Sequence, residues 1–442
     1  MTHARVGIRT ETTSHWERRT PLTPDHVRSL TGQRIDVVCQ PSSLRVHTDL
    51  EYQHAGATIS QDLSDCPVVL GVKQIREEQI VPDTTYLFFS HTHKAQPQNM
   101  RMLRTLIDRG CTLIDYELIT DGEGRRQIAF GRFAGFAGMI DALSCLGRRY
   151  EAEGFRTPLS SIEPAWRYGS LAAARDAVTA AGRKIAARGL HPSLPPLTCL
   201  IAGNGSSGLG AQEIFDLLPT RDLSHDDLLA AQATDALSPL FVYRLTLGTS
   251  GLYERREGGV FDREEYRDHP ERYRGVLEPL LGRVDLFIHA IYWESPYPRL
   301  VTRAGLERAW SPGARPRLRL IADISCDIRG SVEATMRTTT PDEPTFLYLP
   351  AEDRAIDAMT GDGPLVLAVD NLPCELPREA SLEFGRALLP FVQQLARALD
   401  AGGHLDVSRV PELLRRAMIV DRGRLTDRFS YLERFLPESA VG

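Results

Sequence analysis

Of the 52 lysine and arginine residues in this chain only three are lysines, Lys73, Lys94 and Lys184. Arginine keeps its proton at any useful pH, whereas lysine can be tuned into a base, so each lysine is a chemical candidate. Lys184 falls in an alanine-rich helical stretch and reads as a surface residue. Lys73 closes the apolar run PVVLGVK, His91 closes TYLFFSH, and Asp115 lies in CTLIDYE. Each sits at or just past the carboxyl end of a predicted strand, the edge where open α/β sheets hold their ligand crevice. A lysine and a histidine there can share proton-transfer work. Asp115 reads first as an acid that ends a strand. His91 and His93 suggest a metal pair, but no third ligand is near, so no metal is expected.

The other chemical signal is LPPLTCLIAGNGSSGLGAQEIFDLLP, a short apolar strand, a glycine-rich turn and a helix. Gly203-x-Gly205-x-x-Gly208 fits the dinucleotide fingerprint in its expected setting. The first glycine permits the tight turn, and the second lets backbone approach a pyrophosphate. The amides from Ser206 onward open the helix that would hold the negative charge. The spacing is not that of an ATP-binding P-loop. An acid reading the adenosine ribose is expected about 20 residues further on. Asp222, Asp226 and Asp227 lie there, but so does Arg221, so NAD(H) and NADP(H) both stay open. Asp323 and Asp327, in ADISCDIRGS, are placed to orient nicotinamide or substrate.

These residues need sheets to position them. Strand-like runs near residues 6–9, 34–41, 67–73, 85–91 and 111–117 alternate with helical segments, which predicts a parallel sheet covered on both faces. Small residues at Gly131, Gly135 and Gly138 suit close backbone approach or simple packing. The alanine-rich helix SLAAARDAVTAAGRKIAARGL is expected to bridge two domains and cover a second sheet. YERREGGVFDREEYRDHPERYRG is a dense charge run, expected as a solvated excursion outside that sheet. DLFIHAIYWE, LRLIADIS and LVLAVDN resume the strand pattern. The apolar helix ASLEFGRALLPFVQQLARAL and the tail after it can return to the first domain.

With 442 residues, 42% hydrophobic and 25% charged, the chain builds sizeable cores in about two domains. A net charge of −6 disfavours a broad nucleic-acid footprint. Seven scattered cysteines form no C-x-x-C pair, and neither an apolar leader nor an 18-residue apolar run is present. The expectation is a cytoplasmic protein with no membrane partner.

Further motifs carry a resemblance. IRTETTSHWERRTPLTPDHV, GVK at Lys73, FFSHTHKAQPQNM, LIDYE and GRRQIAFGRFAGFAGMIDAL resemble the lysine–2-oxoglutarate reductase family, which forms saccharopine. So do GNGSSGLGAQEIFDLLP, FIHAIYWESPYPRLVT, ADISCDIRGSVE and VDNLPCELPREAS. The likeness runs through nearly the whole chain and looks closest to the reductase half of bifunctional aminoadipic semialdehyde synthase. The chain is expected to be too short for the semialdehyde-forming half. The resemblance implies an alanine-dehydrogenase-like α/β fold of two Rossmann-like domains, with parallel sheets and a cleft between them. Residues 1–140 with 375–442 would form the substrate domain, and 141–374 the dinucleotide domain. It implies reductive condensation of L-lysine with 2-oxoglutarate to saccharopine, and the reverse oxidation, using NADP(H) or NAD(H) and no metal. The family's catalytic lysine and histidine fall on Lys73 and His91. Arg19 matches an arginine near the family's substrate site, and Arg18 and Arg132 are further candidates for substrate carboxylates. The chain is expected as a monomer or homo-oligomer. Two alternatives remain: an opine or amino-acid dehydrogenase with another amine or keto acid, and a non-catalytic dinucleotide sensor.

Overall fold

Short apolar runs such as VVL and TYLF become strands buried along their whole length. Strands covered on both faces are what a helix-clad parallel sheet requires. The computed structural model describes residues 4–231, 237–311, 313–314, 316–400 and 402–438. In chain order the strands are β1 (Arg5–Ile8), β2 (Asp36–Cys39), β3 (Thr58–Ile59), β4 (Val68–Leu70), β5 (Thr85–Phe88), β6 (Thr112–Asp115), β7 (Thr198–Ala202), β8 (Thr220–Asp222) and β9 (Val242–Leu247). They continue as β10 (Tyr253–Arg255), β11 (Tyr273–Gly275), β12 (Leu286–His289), β13 (Leu320–Asp323), β14 (Thr345–Leu349), β15 (Arg354–Ile356), β16 (Leu365–Leu367), β17 (Met418–Asp421) and β18 (Arg424–Leu425). The chain forms two compact units, Met1–Phe130 with Pro377–Gly442, and Gly131–Leu376.

The first unit holds an eight-stranded sheet in the order β18-β17-β6-β5-β4-β1-β2-β3. The run from β6 to β3 is parallel, while β17 pairs antiparallel with β6 and β18 with β17. The sheet is therefore mixed rather than purely parallel. The tail covers the β6 edge, whose unpaired amides and carbonyls would otherwise invite another chain. The helix Pro377–Arg397 buries Phe384, Leu388, Val392 and Leu395, a stripe at helical spacing.

The second unit holds the order β15-β14-β16-β13-β12-β7-β9-β8, with β14 antiparallel to β16 and to β15 and the rest parallel. The charge run lies outside this sheet, where β10 and β11 make a separate antiparallel pair. Its tyrosines Tyr253 and Tyr273 nevertheless join the core of the unit.

The helix Gly131–Ala152 belongs wholly to the second unit, whereas the sequence placed a boundary inside it at 140/141. It packs against the helix Ser206–Phe215 so closely that a Cβ on Gly135 would lie 2.0 Å from the Ser207 carbonyl oxygen. The helix Leu171–Arg188, expected to bridge the domains, also lies within the second unit and buries Ala174, Val178, Ala181 and Ile185 there. Lys184 on it is exposed. No helix among the described residues is long and apolar enough to cross a membrane.

Candidate active site

In the first sheet, Ile8 is in register with Leu70, Leu70 with Leu87, and Phe88 with Asp115. The chain therefore leaves β1, β4, β5 and β6 along one edge. That edge gathers Arg9 and Glu11 after β1, Lys73 after β4, His91 after β5 and Asp115 at the end of β6.

Glu11 grips the segment that carries Lys73. Its Oε1 accepts from the Val72 amide at 2.7 Å and its Oε2 from the Lys73 amide at 3.0 Å. Arg9 lies on the other side. Its guanidinium donates to Glu11 Oε2 at 3.2 Å, to the Gln74 carbonyl at 3.1 Å and to the Lys73 carbonyl. Both side chains are almost wholly buried, at 3% and 4% exposure. Burial pushes the Glu11 carboxyl up, and the Arg9 charge opposes it. Gly71 leaves the room: a Cβ there would lie 2.3 Å from Arg9 Nε. Arg9 and Glu11 escaped the sequence reading. The available signal was that Arg9 directly follows β1 and that Glu11 comes after it by the same three-residue step by which Lys73 comes after β4.

His91 adopts a left-handed backbone with φ of 49°. Asn99 Nδ2 donates to its carbonyl at 3.0 Å. Its Nδ1 lies 2.6 Å from the Gln74 side-chain amide, so the tautomer of the ring follows the orientation of that amide, and with the amide oxygen turned to Nδ1–H the Nε2 is free to accept. Burial first and the Lys73 charge second push the ring down to about 4. His91 is therefore neutral at pH 7 and ready to accept a proton.

Asp115 is the fastener of this turn. One of its oxygens accepts from the Ser90 amide at 3.0 Å and from the Ser90 hydroxyl, and the other from the Glu117 amide at 2.8 Å. Burial raises it to about 6. An aromatic group backs the turn. Phe89 stacks near His91 and touches Tyr116, Phe130 and Phe384, the last contributed by the C-terminal helix.

The arginine candidates are dispersed. Arg19 is buried and bidentate with Glu17, at 2.8 and 2.6 Å, with its guanidinium 4.1 Å over the Phe130 ring. Arg18 is exposed. Arg132 lies in the second unit, paired with Glu213 at 2.6 Å.

The second unit carries the glycine turn between β7 and the helix Ser206–Phe215. Gly203 has φ of 120°, and a Cβ on it would lie 2.4 Å from the Ala290 carbonyl oxygen. A Cβ on Gly208 would lie 2.1 Å from the Gly203 carbonyl oxygen. Neither position tolerates a side chain without backbone movement. Asn204, Gly205 and Ser206 stay exposed at the mouth. This tight turn, with helix amides behind it, fits a dinucleotide pyrophosphate.

The ribose acid expected from counting residues is not beside the turn. The strand next to β7 is β9, with Ala202 in register with Leu247, and the Gly203 amide donates to the Leu247 carbonyl. β8 lies beyond β9, and its Asp222 pairs with Arg244, partway down the sheet. Arg221 stacks on Phe241 at 3.6 Å. The residues flanking the turn are instead Gly248, Thr249 and Ser250, which carry no charge.

Asp323, expected to face the cofactor, spends both carboxylate oxygens inside the protein. Oδ1 lies 2.8 Å from His289 Nδ1 and accepts from the Cys326 amide at 3.1 Å, and Oδ2 accepts from the Thr335 hydroxyl at 2.6 Å. It ties the ends of β12 and β13 together. Asp327 is exposed in the loop after β13. No group of three or more His, Cys, Asp or Glu among the described residues could hold a metal ion.

Comparison with known proteins matches residues 7–137 to the alanine dehydrogenase/PNT N-terminal domain and residues 171–428 to the alanine dehydrogenase/PNT C-terminal domain. The chain belongs to the alanine dehydrogenase/PNT family. An L-alanine dehydrogenase structure superposes with a TM-score of 0.62 at 19% identity, over 99% of this chain and 100% of that one. A Sinorhizobium meliloti transhydrogenase gives 0.55 at 15% identity, over 96% and 100%. These two show the shared two-domain α/β fold.

Closer in sequence is the alpha-aminoadipic semialdehyde synthase of Arabidopsis thaliana, 39% identical over 97% of this chain and 41% of that protein. The mitochondrial enzyme of the same name from Bos taurus is 35% identical over 97% and 47%. The chain thus spans less than half the length of these relatives. A saccharopine dehydrogenase [NAD(+), L-lysine-forming] of Neurospora crassa is 28% identical over 87% of this chain and 89% of that protein. Family membership and these homologues relate the chain to the lysine and saccharopine enzymes, and its Rossmann-like units are of a kind suited to a dinucleotide.

Proposed function

We propose that the chain is a lysine–2-oxoglutarate reductase that condenses L-lysine with 2-oxoglutarate and reduces the product to saccharopine, with reversal under oxidising conditions. The observation that supports it most is the meeting of Lys73 and His91 on one sheet edge, with His91 held neutral chiefly by its burial. The named activities of the homologues support the choice of substrates.

In this reading Lys73, as the free amine, takes a proton from the ε-ammonium of lysine. The freed amine attacks the keto carbon of 2-oxoglutarate and forms a C–N bond. Neutral His91 accepts a proton from the new nitrogen and returns it to the former carbonyl oxygen, giving a carbinolamine. The proton held on Lys73 then reaches the hydroxyl, which leaves as water, and the C=N bond forms. Reduced nicotinamide, when bound, supplies the hydride that saturates this carbon. The proton taken at the start is thus the one that departs in water, and the steps balance. Arg18 and Arg19 would hold the carboxylates of the keto acid, Arg19 by exchanging part of its pairing with Glu17; Arg132 is retained as a third candidate.

The glycine turn, with Gly203, Gly205, Ser206 and Gly208, would hold the pyrophosphate. The cofactor we favour is NADP(H) over NAD(H), because the loop beside the turn presents Thr249 and Ser250 where an NAD-reading carboxylate would stand. Asp323 then acts by positioning the β12 and β13 ends rather than by touching cofactor, and Asp327 stays a candidate for contact. Seven cysteines without a disulfide among them suit a reducing compartment, the cytoplasm. Lys73→Met and His91→Gln test the assignment. Each is expected to lower kcat by roughly 100-fold or more while leaving NADPH affinity in place. Full turnover in folded variants would refute it.

A further inference from the structure

Of the three lysines, Lys184 takes no part in the chemistry above. It lies one turn before Arg188 on the helix Leu171–Arg188, and both side chains are exposed on the same face. Like charges at this spacing repel each other. Neither has an ion-pair partner among the described residues, and nor does Arg156. By contrast, Arg149 and Arg319 each pair with Glu153 at 2.8 Å. The three unpaired cations line one cavity of about 700 Å³, in which Glu151 is the one acid among the described lining residues. His191 lines it too. The Ser193 amide donates to its Nδ1 at 3.1 Å, which leaves the proton of the neutral ring on Nε2.

Thr157, another lining residue, is only 6% exposed. Its hydroxyl does not cap the turn Pro158–Ser161 that it precedes, and it meets no other hydrogen-bond partner among the described residues. A buried hydroxyl left unpaired costs stability, and a ligand oxygen would supply its partner. The frame is tightly built. A Cβ on Gly147 would lie 2.5 Å from the Leu159 carbonyl carbon, so that turn rests directly on the helix Gly131–Ala152. A Cβ on Gly189, in the cavity lining, would lie 3.0 Å from the Pro239 carbonyl oxygen just ahead of β9. Glu153, close to Glu151, pairs with Arg319 just ahead of β13. The cavity thus sits by the amino ends of the strands, whereas the glycine turn leaves the carboxyl end of β7. The two are separate sites.

The geometry points to a second anion site in this unit, which takes a small phosphate-bearing molecule with two or more negative charges between Arg156, Lys184 and Arg188. Its donors come from separate segments: the loop at 156–157, the helix and His191. Donors from several directions suit a tetrahedral phosphate, whereas a planar carboxylate is met best by a single guanidinium fork. The volume is that of an ordinary small-molecule pocket. The site stands apart from the saccharopine reading and holds whether or not that reaction is the chain's own.

The test is calorimetric titration of the full chain with inorganic pyrophosphate at low salt, alone and with saturating NADPH, and with citrate as a carboxylate of similar charge. Wild type is expected to bind pyrophosphate with a Kd of about 1 mM or tighter, equally well with NADPH present. Arg156→Gln and Lys184→Gln should each weaken it about fivefold, and Lys184→Gln with Arg188→Gln about 20-fold. Glu151→Gln should tighten it by about twofold, since a like charge leaves the lining. These residues are exposed, so Tm and NADPH affinity should not move. Citrate should bind more weakly than pyrophosphate. No binding at millimolar pyrophosphate, or unchanged affinity in the charge variants, would overturn the site. Displacement of pyrophosphate by NADPH would place it at the glycine turn and equally overturn the proposal. Citrate binding as tightly as pyrophosphate would overturn the choice of phosphate.

Discussion

Replacing Glu11 by Gln removes the partner of a buried guanidinium and half of the grip on Lys73. In the wild type the Glu11 carboxylate serves three donors: the Val72 amide at 2.7 Å, the Lys73 amide at 3.0 Å and Arg9 at 3.2 Å. A glutamine oxygen can accept from one amide, while its NH2 group meets the other donor head-on. Arg9, at 3% exposure, is then left without its counter-charge. Breaking a buried pair from one side costs about 3–5 kcal/mol. For a unit of about 200 residues, each kcal/mol moves Tm by about 2–4 °C, so the first unit should melt roughly 6–20 °C lower. Calorimetry can read that transition, and hydrogen exchange should show the Val72 and Lys73 amides exchanging faster than their neighbours. The double variant Arg9→Met with Glu11→Gln carries no unpaired charge. It should be less destabilised than the sum of the two single variants by about 2 kcal/mol. Additive losses, with unchanged exchange at Val72 and Lys73, would refute the view that this pair clamps the lysine.

The two sites set further outcomes. His91 stays neutral down to about 4 when folded but takes a proton near its ordinary value of 6.5 when unfolded. The unfolded state binds more protons across that window, so stability falls as pH drops through it, by on the order of 3 kcal/mol from this group. His91→Gln should lose less stability than wild type between pH 7 and pH 4 in denaturant titrations; equal losses would contradict the burial of an uncharged ring. In the second unit, Thr249→Glu should weaken NADPH relative to NADH by about 10-fold or more, by like-charge repulsion at the 2′-phosphate. Asp222→Asn should leave the ratio of NADPH to NADH affinity unchanged, and the reverse pattern would return the ribose site to β8.

Local features, and those set by the ends of parallel strands, were legible in the sequence. The glycine fingerprint is contiguous, so its turn and helix could be read directly. Lys73 and His91 were legible because parallel strands deliver their carboxyl ends to one edge. Arg9 and Glu11 were not, because their partners at Val72, Lys73 and Gln74 lie more than 60 positions away and only the β1–β4 pairing joins them. Counting forward from the glycine turn leads to Asp222 on β8, because it assumes that the second strand lies beside the first, and here β9 intervenes. The Leu171–Arg188 segment was legible as an alanine-rich helix, but that it lies within the second unit rather than bridging two was not. Asp323 looked like a cofactor contact from its place at a strand end; its partners His289 and Thr335 come from distant segments and absorb its lone pairs.

The most direct test of the central claim is to monitor NADPH oxidation by the purified chain with L-lysine and 2-oxoglutarate, omitting each in turn and substituting ammonia or ornithine for lysine and pyruvate for the keto acid. Oxidation that requires both L-lysine and 2-oxoglutarate, with saccharopine as product, is the predicted result. Oxidation that proceeds with ammonia and pyruvate, or with another amine in place of lysine, would contradict it.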